Sequence, residues 1–254
     1  MIIRKSEREI ELMAAAGAVI AATLAVVEEH LEPGISMIEL DRIADDVIRS
    51  HGGVPTSKGY KGFPAATCIS PNSMIVHGIP DDYRAKEGDI ISVDIGVTKD
   101  RMIADSCATF PVGEITPEAQ RLLDVCQAAL VAGIDAAQAG AKVGDISAAV
   151  QPVVEDAGFS VVRSLVGHGV GKHYHEDPQI PNFVTKYRGE SLVPGMTIAI
   201  EPMITAGSEE VYMHDDGWSI STVDGSLAAH FEHTIAITAN GPRVLTRPAG
   251  VLVR

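Results

Sequence analysis

Two stretches of the chain share one form, and together they decide the interpretation of its fold. The first is Glu87-Gly88-Asp89-Ile90-Ile91-Ser92-Val93-Asp94, and the second is Pro194-Gly195-Met196-Thr197-Ile198-Ala199-Ile200-Glu201. In each, a glycine leads into an apolar strand that ends on a carboxylate, and the two glycines, like the two carboxylates, are 107 residues apart. This shared offset predicts a duplicated structure.

The helices that precede these strands repeat with nearly the same offset. Ser6 begins the first predicted helix, which stops near Gly34. Thr116, followed by Pro117 at the first helical position, begins its counterpart, which stops at Gly140, 106 residues later.

A second helix follows in each half. It begins at Ser36 or Asp145 and ends near Gly52 or Gly158, again 106 residues apart. The alternative is coincidence, since helix ends and strand starts often carry glycine.

The repeat predicts an α+β fold in which pseudo-symmetric halves form a curved antiparallel sheet covered by helices. We expect one catalytic domain over residues 1–254, with repeats at about 6–112 and 116–240. A functional site would then lie where the two halves meet.

Composition narrows the class of protein. The 254 residues carry 34 acidic and 20 basic side chains, a net charge of −14, which argues against binding to nucleic acid or to an anionic membrane. The cysteines Cys68, Cys107 and Cys126 are too few for a disulfide framework and favour a reducing cytoplasm.

The most apolar segment, 12–27, could suggest a secretory signal or a membrane span. Acidic residues flank it on both sides, no convincing cleavage site follows, and it is short for a bilayer. Ser6 with Glu9 has the form of a capping box, and the apolar residues recur at helical spacing. We therefore predict a core helix.

Asp94 and Asp105 lie in successive predicted strands. In the strand 91–97, every second residue is apolar and Asp94 falls on the other face. A two-residue turn at Lys99-Asp100 would place the two aspartates directly opposite each other. Such close carboxylates require either a shared proton or a metal ion between them.

The second half contributes two acids and a histidine in similarly apolar surroundings. Glu201 ends one strand, Glu232 lies within His230-Phe231-Glu232-His233-Thr234-Ile235-Ala236-Ile237, and His168 lies within Gly167-His168-Gly169-Val170-Gly171. A structural salt bridge is the alternative for any single acid, but few lysines or arginines lie nearby in the sequence to pair with four of them.

Oxygen donors with one imidazole and no thiolate suit Mn²⁺, Fe²⁺ or Co²⁺, and also catalytic Zn²⁺. Four carboxylates carry a charge of −4, which two divalent cations neutralise. The residues therefore predict a dinuclear centre around an activated water.

The sequence resembles the methionine aminopeptidases, in their short bacterial type I form. The matching stretches, in chain order, are Val76-His77-Gly78-Ile79-Pro80, Val93-Asp94-Ile95, Ala104-Asp105-Ser106, Gly167-His168-Gly169-Val170-Gly171, Ile200-Glu201-Pro202-Met203 and Phe231-Glu232-His233-Thr234. The match as a whole runs from about residue 3 to 248, and the resemblance implies the duplicated pita-bread fold of that family.

The resemblance also implies the roles of individual residues. Asp105 and Glu232 would bridge two divalent ions (Co, Mn, Fe, Ni or Zn), Asp94 would chelate one of them, and His168 and Glu201 would bind the other. Glu201 would also take a proton from the water between the metals, and the resulting hydroxide would attack the carbonyl carbon of the substrate.

Two further histidines and a side-chain pocket complete the implied site. His77 and His175 would contact the amide nitrogen and the carbonyl oxygen of the substrate. The methionine pocket maps to Tyr60, Phe63, Cys68, Tyr174 and Trp218. Phe63, Tyr174 and Ser57 depart from the commonest bacterial choices, which are Tyr, Phe and Cys.

The implied function is removal of the initiator methionine from nascent proteins and peptides when the next residue is small. The expected protein is a cytoplasmic monomer. The amino-terminal zinc-binding extension of some relatives is not expected, because the first helix begins by Ser6. The helical insertion of type II relatives is not expected either. The alternatives are an Xaa-Pro aminopeptidase of the same fold, a non-catalytic binding module, and an ion-pair core without metal.

Overall fold

The structure, a computed structural model, describes residues 2–247. Within them it has four α-helices and fifteen short strands. The helices are α1 (Glu7–His30), α2 (Met37–Ser50), α3 (Pro117–Ala136) and α4 (Val143–Glu155).

The strands fall into a first group before α3 and a second group after α4. The first group comprises β1 (Val54–Pro55), β2 (Cys68–Pro71), β3 (Met74–Val76), β4 (Ile90–Lys99) and β5 (Met102–Pro111). The second comprises β6 (Ser160–Val161), β7 (Gly167–Gly169), β8 (Glu176–Ile180), β9 (Thr197–Ile200), β10 (Met203–Thr205), β11 (Val211–Met213), β12 (Ile220–Thr222), β13 (Ala228–His230), β14 (His233–Thr238) and β15 (Gly241–Val244).

The predicted capping box at the start of α1 is confirmed. The Ser6 hydroxyl accepts from the Glu9 backbone N–H at 3.4 Å, and the Glu9 carboxylate accepts from the Ser6 N–H at 2.8 Å. These bonds satisfy two N–H groups that a helix start leaves free. At the start of α3, the Thr116 hydroxyl accepts from the Ala119 N–H at 3.1 Å, and Pro117 is the first helical residue.

Helix α1 meets the length and hydropathy criteria for a membrane span, but half of its apolar window is buried inside the protein. Ile20 and Val27 are fully buried and pack in one cluster with Val93 of β4. At Gly17 an added Cβ would lie 2.0 Å from the Leu245 carbonyl oxygen. The prediction of a core helix is therefore confirmed.

Helix α4 begins two residues before the predicted position. Its N-cap is Lys142, and Asp145 lies at the third helical position, where its carboxylate accepts from the Lys142 N–H at 2.8 Å. Asp145, which predicted the start of this helix, therefore caps it from within the first turn.

Every strand pairing is antiparallel, which confirms the α+β prediction. In the first half, β4 pairs with β1, β2 and β5, and α1 and α2 cover this sheet. In the second half, five strands lie in the order β15-β14-β9-β7-β8, and α3 and α4 pack on this half. Each half has its own large apolar cluster.

The halves are joined where β5 meets the segment before β14. The Thr234 hydroxyl accepts from the Asp105 N–H at 2.9 Å and donates to the Asp105 carbonyl at 2.8 Å. The Glu232 N–H donates to the Cys107 carbonyl at 2.9 Å. These bonds connect residues more than 120 positions apart and fix two of the predicted ligands against each other.

Candidate metal centre

Asp94 and Asp105 lie on one hairpin, but the predicted register was wrong. Asp94 pairs with Cys107, and Asp105 pairs with Gly96, because the turn is Asp100-Arg101 rather than Lys99-Asp100. Both turn residues have positive φ, 50° and 66°, as in the mirror-image turn that suits a twisted hairpin.

A shift of two residues keeps both aspartates on the same face, because side chains alternate with a period of two. The aspartates are therefore diagonal neighbours rather than directly opposed. Their carboxyl groups still lie close enough for each to affect the pKa of the other.

The other three predicted ligands lie in the second half, two of them in segments next to strands and one within a strand. Glu201 follows β9, Glu232 lies between β13 and β14, and His168 is the central residue of β7. The His168 Nε2 atom is 3.7 Å from Asp105 Oδ2 and 3.5 Å from Glu201 Oε1. Asp105, His168 and Glu232 each offer a ligand atom within 4.8 Å of the others. The structure therefore brings the predicted residues together at the junction of the halves.

Backbone contacts orient the His168 ring. Its Nδ1 lies 2.9 Å from the Gly169 carbonyl oxygen, so Nδ1 carries the proton and Nε2 presents a lone pair. Glycines on either side allow this close packing, since a Cβ at Gly169 would lie 2.3 Å from the Asp177 carbonyl. Burial lowers the pKa of His168 to about 4, so the ring is neutral at pH 7.

The four carboxyl groups are costly to ionise without a cation. Burial raises the pKa of Asp94 to about 7, and burial together with the neighbouring carboxylates raises the pKa of Asp105, Glu201 and Glu232 well above their usual range. Among residues 2–247, the basic groups that contact these acids are two histidines, and burial lowers the pKa of both so far that neither carries a positive charge at pH 7.

Three carboxylate oxygens at the centre are buried and accept no hydrogen bond within the described residues: Asp94 Oδ1, Glu201 Oε1 and Glu232 Oε1. A buried unpaired acceptor destabilises a fold, and a bound cation would satisfy all three. The donor set therefore fits divalent metal ions.

His77 and His175 both line one cavity, which has a volume of about 710 Å³. His175 stacks on the Tyr60 ring, and its Nδ1 is 3.0 Å from the Tyr60 hydroxyl. His77 has a φ of 58° and packs edge-on to Trp218. Burial lowers the pKa of His77, and that of His175 to about 3, so both imidazoles are neutral at pH 7.

All five residues of the predicted pocket line this cavity: Tyr60, Phe63, Cys68, Tyr174 and Trp218. The Phe63 and Trp218 rings meet edge-to-face at 5.2 Å, and the Tyr60 and Tyr174 rings do so at 5.1 Å. The wall next to the acids is therefore aromatic, with one buried thiol.

Sequence reasoning missed three features of the site. His230 is buried, its ring nitrogens lack hydrogen-bond partners among the described residues, and its Nε2 is 3.7 Å from Glu201 Oε2. Its position two residues before Glu232 was the available signal, since alternate residues of a strand share a face.

The second missed feature is a buried ion pair between Lys5 and Glu176, whose side chains are 1% and 2% exposed. The other Glu176 oxygen accepts from the N–H groups of Lys172 and His173, so the pair fixes the loop that carries His175. The third is a contact of Ser57 with Tyr174, 117 positions apart in the chain.

The sequence is similar to known proteins over most of its length. The sequence profile of metallopeptidase family M24 matches residues 11–239. A methionine aminopeptidase of Clostridium perfringens is 48% identical over 97% of this chain and 99% of its own length. The methionine aminopeptidase of Escherichia coli K12 is 41% identical over 95% of this chain and 92% of its own length.

Solved structures give the same result. A crystal structure of the methionine aminopeptidase from Thermotoga maritima matches with a TM-score of 0.95 and 42% identity, covering 97% of this chain and all of the other. A prolidase from Pyrococcus furiosus matches with a TM-score of 0.78 at 22% identity and covers 96% of this chain, which is a likeness of fold alone.

Proposed function

Because the chain belongs to metallopeptidase family M24, and within it to the methionine aminopeptidases, we propose that it removes the N-terminal methionine from peptides and nascent polypeptides when the next residue is small. Its fold is the pita-bread fold of that family. The observation that carries the proposal is the cluster of three buried acids, the half-buried Asp94 and His168 beside an aromatic cavity.

The proposed cofactor is a pair of divalent ions. Asp105 and Glu232 would bridge them, Asp94 would chelate one, and His168 and Glu201 would hold the other. The unpartnered oxygens of Asp94, Glu201 and Glu232 support this assignment. Mn²⁺, Fe²⁺, Co²⁺, Ni²⁺ and Zn²⁺ all suit oxygen donors with one imidazole.

When bound, such ions would polarise the scissile carbonyl and lower the pKa of water. Glu201 would accept the proton of the attacking water. Its Oε1 atom accepts no hydrogen bond among the described residues, so this oxygen is free to receive a proton in that position.

The two cavity histidines would orient the substrate and stabilise charge. If the Tyr60 hydroxyl donates to His175 Nδ1, the proton of the neutral imidazole is on Nε2, which can then donate to the oxygen of the scissile carbonyl as negative charge develops. His77 would hold the nitrogen side of the breaking C–N bond, to which the proton is finally transferred.

The pocket favours methionine for a physical reason. An unbranched thioether can follow an irregular aromatic wall, and sulfur makes favourable contacts with ring edges. The crossed rings of Phe63 with Trp218 and of Tyr60 with Tyr174 offer such edges.

Peptide hydrolysis tests the proposal directly. Metal-free protein should not cleave a Met-Ala-Ser peptide, and added Mn²⁺, Fe²⁺ or Co²⁺ should restore release of methionine. Cleavage that survives exhaustive chelation would contradict the proposal. Preferential cleavage of Xaa-Pro peptides would favour the proline-specific alternative, and peptide binding without hydrolysis would favour a binding module.

Replacing Glu201 tests its assignment. Glu201→Ala should lower kcat by at least about 10²- to 10⁴-fold, because it removes a base and a ligand together. Glu209→Ala, at an exposed surface ion pair with Arg163, is the matched control and should keep full activity. Near-normal turnover by Glu201→Ala would remove it from the mechanism.

We further infer that residues 1–254 act as one catalytic domain made of two repeats, as a monomer in the cytoplasm, without nucleic acid or membrane. The net charge of −14 supports the last point, and the free, buried Cys68, Cys107 and Cys126 support a reducing compartment. Light scattering of the purified chain tests the monomer.

A further inference from the structure

The Tyr174 side chain carries a hydroxyl group that a purely apolar methionine pocket does not need. This hydroxyl lies 3.0 Å from the Ser57 Oγ and 3.5 Å from the Asp105 Oδ1. The three residues are only 3%, 8% and 4% exposed, in the order Ser57, Tyr174, Asp105. The hydroxyl therefore connects a pocket residue to a proposed metal ligand in a region closed to solvent.

The backbone makes room for this hydroxyl at one position. Gly96 is the cross-strand partner of Asp105, and a Cβ at Gly96 would lie 2.3 Å from the Tyr174 hydroxyl oxygen. The hydroxyl thus occupies the space above Gly96, beside the Asp105 side chain. Edge-to-face packing against Tyr60, with ring centroids 5.1 Å apart, holds the Tyr174 ring in this place.

The chemistry of the three groups fixes the direction of the hydrogen bonds that run from Ser57 through Tyr174 to Asp105. An ionised Asp105 carboxylate can only accept, so the Tyr174 O–H must donate to it. The Tyr174 oxygen then accepts from the Ser57 hydroxyl. Each hydrogen bond in this series polarises and strengthens the next one. The last bond is accepted by the Asp105 carboxylate, which its burial keeps away from water.

We propose that Tyr174 and Ser57 are positioning residues that hold the Asp105 carboxylate in the orientation that binds divalent metal. The inference rests on the proposed role of Asp105 as a ligand. Partners of a ligating carboxylate fix its orientation, and their removal typically weakens metal binding by about 10- to 100-fold.

The test is calorimetric titration of metal-free protein with Mn²⁺. Tyr174→Phe keeps the ring and removes only the hydroxyl, and it should weaken Mn²⁺ binding about 10- to 100-fold. Ser57→Ala should weaken binding less, because Tyr174 can still donate. The double variant should bind like Tyr174→Phe alone, since both residues act through one chain of hydrogen bonds. Tyr187→Phe, at a 71% exposed tyrosine, is the control and should bind like the wild type.

Peptide kinetics at limiting and saturating Mn²⁺ provide a second readout. If the hydroxyl acts through the metal, the kcat of Tyr174→Phe relative to the wild type should rise as Mn²⁺ is raised from limiting to saturating concentration. An unchanged Mn²⁺ affinity with a raised KM would place the hydroxyl on the substrate and overturn the inference.

Other results separate the inference from the proposed function. Equal Mn²⁺ affinity of the wild type, Tyr174→Phe and Ser57→Ala would overturn the inference and leave the aminopeptidase proposal standing. A wild-type protein that binds no divalent metal would overturn both. If Tyr174→Phe fails to fold, the smaller Ser57→Ala change still decides, because unaltered Mn²⁺ binding by it would contradict the chain of hydrogen bonds.

Discussion

At the scale of single residues, the central feature is a group of acids that the fold stabilises poorly by itself. Asp105, Glu201 and Glu232 are buried, Asp94 is half-buried in the same cavity, and no lysine or arginine forms an ion pair with them among residues 2–247. Protons or cations must offset their mutual repulsion. Stability of the metal-free protein should therefore depend on pH differently from that of the metal-bound protein.

The direction of this dependence follows from the raised pKa values. A carboxyl group with a raised pKa is protonated more readily in the folded than in the unfolded chain. The metal-free fold therefore loses stability from this source as the pH rises from about 4 towards the pKa of Asp94, about 7. The buried histidines act oppositely, because their lowered pKa values remove stability as the pH falls below about 6.5.

Metal ions bind the ionised carboxylates, so protons compete with them at lower pH. The rise in Tm on adding Mn²⁺ should thus be larger at pH 8 than at pH 6. Thermal unfolding of the same metal-free sample at both pH values measures it, with Glu209→Gln as a surface control. An equal rise at both pH values would mean that these acids do not bind the metal.

Some residues of the site could be recognised from the sequence and others could not. Asp94, Asp105, His168, Glu201 and Glu232 stand out because charged or imidazole groups interrupt apolar strands. Lys5 and Glu176 do not stand out, because each looks like an ordinary surface residue until a contact between positions 171 residues apart is known. The sequence alone does not show that these two residues meet in the folded protein.

At the scale of elements, helix starts were predictable and the hairpin register was not. Ser6 with Glu9 and Thr116 with Pro117 act within one turn, so local sequence contains the whole interaction. The hairpin between β4 and β5 depends on which two residues adopt positive φ. Asp100 and Arg101 do so without the glycine that normally marks such a turn.

This turn makes a stability prediction. Arg101 has a φ of 66°, a conformation that costs a residue with a Cβ about 1–2 kcal/mol. Arg101→Gly should raise the free energy of unfolding by about 0.5–1 kcal/mol, after the entropy of glycine in the unfolded chain is subtracted. Urea denaturation measures the change.

Asp100→Ala is the matched variant, and its expected effect on the free energy of unfolding is opposite to that of Arg101→Gly. Aspartate tolerates positive φ better than alanine, so this change should lower the free energy of unfolding. A loss of stability in Arg101→Gly would show that the turn conformation differs from the one described here.

At the scale of the whole molecule, the candidate site lies where the two similar halves of the fold meet. Each half supplies an antiparallel sheet covered by two helices, and the halves meet at Asp105 and Thr234, 129 positions apart. The offset of 106 to 107 residues indicated two similar halves. It did not indicate how they face each other, because that depends on side-chain packing at the junction, such as the contacts of Ser106 and Cys107 with the Glu232 backbone.

The same limit applies to the cavity. Pocket residues such as Tyr60 and Phe63 have no feature in the sequence that separates them from core aromatics, and their assignment came from resemblance alone. The structure adds their arrangement, since Tyr60 contacts both His175 and Tyr174 from another part of the chain. The polar link from Ser57 through Tyr174 to Asp105 emerges only in that arrangement.

The measurement that tests the central claim most directly is the stoichiometry of divalent metal bound to the wild type and to an Asp105→Asn/Glu232→Gln double variant, by equilibrium dialysis of metal-free protein against Mn²⁺. Two ions per wild-type chain, and loss of both in the double variant, are the predicted result, because these two residues are proposed to bridge the ions. Unchanged Mn²⁺ binding by a folded double variant, or no Mn²⁺ bound by the wild type, would contradict the account.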